Sequence, residues 1–169
     1  MENTVEQMEI MALDTKIGAD TLEAVRKMIP EDRKLNLEKV MWELKNSPEG
    51  NVPDPEHAAP YTGWMALAEI MVRVMNGETK ELDIGTYGKN FSELRSFYAS
   101  RAALMALQTY LSLTVLYSRK YAGKTTRNGW PSEEKWNQWQ EHMEALTECI
   151  AVLLGLNREG TELCLSGTL

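Results

Sequence analysis

Phe91 to Tyr121 reads FSELRSFYASRAALMALQTYLSLTVLYSRKY, and its interpretation decides the fold. Asn90-Phe91-Ser92-Glu93 has the form of a capping box, which opens a helix. Gly123 is placed to close it. Between Arg101 and Arg119, residues 102–118 carry no charge. On a helical wheel Arg101, Gln108, Ser112 and Arg119 fall in one narrow polar stripe, and almost everything else in that run is apolar or small. The expectation is one long helix over 91–121, central to a bundle. LSLTVLY, residues 111–117, taken alone also fits a strand. The uncharged run reaches only the lower limit of about 17 residues for a membrane span. It also contains Gln108, Thr109, Ser112 and Thr114, so no membrane partner is expected.

The flanking segments repeat the helical period. Toward the C-terminus, Ser132 precedes a stretch in which Trp136, Trp139, Met143, Leu146, Ile150, Leu153 and Leu154 form one arc. Glu134, Glu141, Glu144 and Glu148 line the opposite side, so this is an amphipathic helix, with Gly155 as its expected C-cap. Toward the N-terminus, Thr62 caps TGWMALAEIMVRVMNG, which ends at Gly77. Apolar residues nearly encircle it, as in a buried helix. Glu69 and Arg73, at i and i+4, are expected to pair on its one wet face.

The first 46 residues read as three helices. Thr4-x-x-Gln7 opens one that Gly18 closes, Asp20 begins a second, and Pro30 stands at the start of a third. The third turns Leu37, Val40, Met41 and Leu44 inward. Residues 46–60 and 77–90 are loops by composition, the first holding four of the six prolines; a short extended piece is expected at Leu82–Ile84. The expected fold is all-α: a single-domain helical bundle of five or six helices with two long loops, covering 1–169. N-terminal helices take 1–46, the main bundle 61–155 and a C-terminal tail 156–169.

The composition agrees with a folded domain. Of 169 residues 43% are hydrophobic and 25% charged, enough to exclude a disordered acidic chain. Cys149 and Cys164 have no metal-ligand spacing and read as free thiols of a reducing compartment. MENTVEQMEI lacks the basic and apolar regions of a signal peptide, so a cytoplasmic location is expected. The net charge of −7 disfavours nucleic acid, whose phosphates need a basic surface. Residues 101–130 nevertheless carry five bases, Arg101, Arg119, Lys120, Lys124 and Arg127, and no acid. They form a candidate anion- or partner-binding set, although cations ending one helix also complement its dipole.

Catalytic motifs do not assemble. Gly123-Lys124-Thr125 resembles the end of a phosphate-binding loop, but Ser118 occupies the first-glycine position and Thr-Arg-Asn-Gly-Trp-Pro follows where a helix is required. Helical nucleotide pyrophosphohydrolases hold Mg²⁺ between Glu-x-x-Glu and Glu-x-x-Asp. Glu6-x-x-Glu9 and Glu141-x-x-Glu144 have the first spacing, and the second is absent from the chain. His57 and His142 are far apart, with no nucleophile signature beside either. Ten Met and five Trp against two Phe favour adaptable apolar surfaces; Trp130, Trp136 and Trp139 are candidate interface aromatics.

The expected function is a non-catalytic protein–protein interaction module, an accessory, adaptor or inhibitory subunit. It would act through helix faces and the loops 46–60 and 77–90, on a protein partner or on itself as a homo-oligomer. No cofactor or metal site is expected. The alternative is a small all-α metal-dependent nucleotide hydrolase or anionic-ligand binder using the basic segment 119–127.

Overall fold

The computed structural model describes residues 10–50, 61–83, 90–122, 132–156 and 159–163, with side chains omitted at 49 and 119–122. Among them the order of main elements is α1 (Lys16–Lys27), β1 (Lys34–Asn36), α2 (Leu37–Lys45), α3 (Gly63–Met75), β2 (Ser96–Ser100), α4 (Arg101–Ala122), α5 (Glu133–Leu156) and β3 (Gly160–Glu162). The protein is mainly helical, as its periodicity implies, and it also contains a small sheet. Its strand order is β1-β2-β3, with β1 parallel to β2 and β2 antiparallel to β3. No helix among the described residues is long and apolar enough to cross a membrane.

The sheet corrects the all-α reading at its centre. Ser96 to Ser100 is a strand, not the opening of α4. Phe97 and Ala99 are buried while Ser96, Tyr98 and Ser100 face outward, the period-two pattern of a pleated segment. The capping box at Asn90 yields only a 3₁₀ turn, Phe91–Glu93, and the Asn90 side chain caps nothing. The Asp83 carboxylate instead accepts the Phe91 and Ser92 amides at 2.8 and 3.0 Å. The true cap of α4 is Ser100, whose Oγ accepts from the Ala103 amide at 3.2 Å. From Arg101 onward the chain is helical to Ala122, LSLTVLY included.

Similar corrections apply at both ends. A helix over 4–16 does not reach its expected end: residues 4–9 lie outside the described set, and Ala12–Asp14 is a 3₁₀ turn. Thr15 is extended, and its Oγ1 caps α1 by accepting from Gly18 N. Gly18 therefore sits in the first turn of α1 rather than closing a helix, and Asp20 is interior. The third helix starts at Leu37, later than Pro30, because Lys34–Asn36 pairs with Ser96–Tyr98. Asn36 Oδ1 then accepts from the Glu38 and Lys39 amides. Glu81–Asp83 is a 3₁₀ turn and not extended. Gly155 lies inside α5, and the expected tail contributes β3.

The core is built around α3. Trp64, Met65, Leu67, Ile70 and Met71 are fully buried, and the Thr62 side chain accepts from Met65 N at 3.1 Å. Gly77, with φ of 74°, follows the helix end, a left-handed position that suits glycine. On α5 the anticipated arc is inward: Trp139, Met143, Leu146, Ile150 and Leu153 are buried. Gly18 is pressed against the backbone of Ala12 and Leu13, leaving no space for a Cβ. Gly18→Ala should therefore lower stability by about 2 kcal/mol or more, since backbone must move to admit the methyl. A urea melt with a lower midpoint and unchanged slope is the expected result.

Candidate functional site

Two features combine polar or aromatic groups in ways the sequence reading did not foresee. The first is interior. Glu69 does not pair with Arg73; its carboxylate is 1% exposed and faces the 3₁₀ turn and α5. It accepts from Ala12 N and Leu13 N, each at 2.8 Å, and meets His142 Nε2 at 2.9 Å. Arg73 instead bonds Glu81 at 2.9 Å. With the carboxylate enclosed and contacting three donor positions, this cluster ties the N-terminal turn, α3 and α5 together. It is a clamp, closed to any substrate.

The second feature is a surface groove between α2 and α4, and the sheet creates it. Because β1 and β2 are parallel neighbours and each runs directly into a helix, α2 and α4 leave the same end of the sheet side by side. The facing residues of α2 are Glu38, Met41, Trp42 and Lys45, at i, i+3, i+4 and i+7, one helical stripe. α4 contributes Ala102, Ala103, Ala106 and Tyr110, and Trp64 of α3 closes the floor around a cavity of about 190 Å³. The Trp64 and Tyr110 rings pack with centroids 4.7 Å apart. Small alanines on one wall leave room for an inserted ring.

Trp42 is 66% exposed beside this groove, and Met105, in the next turn of α4 from Ala102, is 48% exposed. An indole left in water next to an apolar cavity is costly, because burying such a ring removes about 150–250 Å² from solvent. Sequence reading assigned Leu37, Val40, Met41 and Leu44 to the interior and passed over Trp42. Its signal was its place on α2 outside that stripe, flanked by Glu38 and Lys45.

Of the anticipated site residues, Arg101, Trp136 and Trp139 have described side chains. Arg101 donates through Nη1 to the Leu154 carbonyl at 3.0 Å, binding the last turns of α5 in the manner of a helix C-terminal cation. Arg119 and Lys120 lie in the last turn of α4, about 27 Å along the axis from Arg101 at 1.5 Å per residue. Arg101 thus belongs to no cluster with them. Lys124, Arg127 and Trp130 lie outside the described residues, as do His57, Cys164 and most of the two loops. Trp136 and Trp139 stack, centroids 5.5 Å apart; Trp139 is fully buried and Trp136 packs against the core. Trp139 thus belongs to the core, and Trp136 is partly buried at its edge. The acids of α5 (Glu134, Glu141, Glu144 and Glu148) are exposed, and among the described residues no group of three His, Cys, Asp or Glu could hold a metal ion.

Comparison with protein-family models, curated proteins and solved structures yields no match.

Two outcomes test this description. Glu69→Ala should destabilise the fold by roughly 3–5 kcal/mol, since it strands buried amide donors and the histidine. Glu69→Gln should cost less, because its single carbonyl still serves one amide while its NH₂ opposes the other; urea midpoints of the two variants should fall in that order. Separately, burial pushes the Cys149 thiol pKa up, so its thiolate is scarce near neutral pH. In a Cys164→Ser background, alkylation by iodoacetamide should run slower at pH 7.5 than for an exposed cysteine in a peptide. Its rate should still be climbing at pH values where the peptide has levelled off.

Proposed function

We propose that this chain is a non-catalytic interaction protein whose docking surface is the α2–α4 groove. One observation carries the reading: a tryptophan two-thirds exposed beside a cavity walled by Met41, Trp64, Ala106 and Tyr110. Tryptophan is among the residues that most often dominate binding energy, and it does so in desolvated pockets. The groove is apolar at its centre, with one acid and one base at its rim. An occupant that fits it is a protein surface presenting an apolar side chain between one cation and one anion. Its lining is mostly apolar, which suits recognition of a partner surface.

The test is comparative retention. The immobilised wild-type chain should retain a protein that Trp42→Ala releases, with about a 30-fold or greater loss of affinity for a hot-spot ring. Because Trp42 is exposed, the variant should keep the wild-type far-ultraviolet dichroism. Equal retention of every protein by the two forms would overturn the reading.

A further inference from the structure

The occupant described above, an apolar side chain flanked by opposite charges, matches the groove's own rim. We propose that a second copy of this chain fills it, the two copies pairing antiparallel along α2 about a two-fold axis beside Met41 and Trp42. This rests on the interaction reading and names its partner.

Three observations converge. First, the exposed stripe of α2 has Glu38 at its start, Lys45 at its end and Trp42 near its middle. A two-fold axis at the midpoint carries Glu38 of one copy to Lys45 of the other and repeats the pair on the opposite side, as an isologous contact requires. Among the described residues neither side chain has an ion-pair partner within the chain. Parallel packing in register would instead set Glu38 against Glu38 and Lys45 against Lys45.

Second, Trp42 lies near the middle of the stripe, so the same operation brings the two exposed indoles together beside the axis, next to Met41 and the groove, and removes both from water. Third, the chain carries a net charge of −7, which opposes approach of a second copy unless the facing surfaces are locally balanced. The exposed acids of α5 are on a helix that contributes nothing to the groove. The α2 stripe is charge-balanced, and there like chains can approach.

Sedimentation equilibrium across low- to high-micromolar concentrations tests the pairing. The wild type should approach twice the 19.2 kDa of one chain. Trp42→Ala should weaken dimerisation about 30-fold or more. E38K alone and K45E alone should each weaken it about tenfold, since each sets like charges opposite one another. An equimolar mixture of E38K and K45E should recover the dimer as a hetero-pair, because both contacts are then complementary. The weakening by each single substitution is what separates antiparallel from parallel pairing, in which like charges already face each other in the wild type, and neither it nor the rescue depends on how Trp42→Ala folds.

A wild type that stays monomeric throughout overturns the proposal, as does a dimer indifferent to all three substitutions or a mixture no stronger than its components. The two readings fail separately. A monomer that still retains a different protein through Trp42 loses only the self-pairing, whereas a monomer that retains nothing loses both.

Discussion

The tertiary structure depends on one buried carboxylate. Glu69 projects from a helix that is otherwise apolar nearly all round, where an unpaired charge would be prohibitive. It is stabilised because two consecutive backbone amides, from Ala12 and Leu13, converge on it together with His142. The requirement runs both ways. The 3₁₀ turn at Ala12–Asp14 would leave buried amides without acceptors if Glu69 were elsewhere, and α5 is held at His142, close to the turn that carries Trp139. A charge in the interior thus fixes which face of α3 meets which neighbour, something interchangeable leucines and methionines do less sharply.

Arg26 of α1 plays a comparable part. Its guanidinium is buried, pairs with Glu23, donates to the Leu82 carbonyl and lies 5.7 Å from the centroid of the Phe91 ring. Arg101 closes the end of α5 in the same way. Three of the chain's most informative charged residues are therefore spent on internal backbone and core groups. Charge counted by segment does not reveal these three roles, and the exposed feature beside the α2–α4 groove is an aromatic one.

Legibility varied with element length. α3 and α5 were readable because each offers several turns in which period and caps agree: Thr62 and Ser132 do cap them, Ser132 Oγ accepting from Lys135 N. The strands were not. Lys34–Asn36 and Gly160–Glu162 are too short to display a period, and the alternation of Ser96–Ser100 runs straight into a helix whose apolar composition it shares. The groove was illegible for the same reason. It exists only because β1 and β2 pair in parallel and bring α2 beside α4, and neither helix alone shows that its outer face will have a neighbour.

By itself the chain determined a mainly helical protein with α3 buried, α5 amphipathic and the stretch from Arg101 through LSLTVLY long enough to be helical, because side-chain spacing over many residues is a local property. The tertiary structure alone decided the sheet, the partner of Glu69 and the setting of Trp42. Each of these joins residues tens of positions apart, and hydrogen-bond donors and cavity walls acquire their partners only when the backbone brings them together.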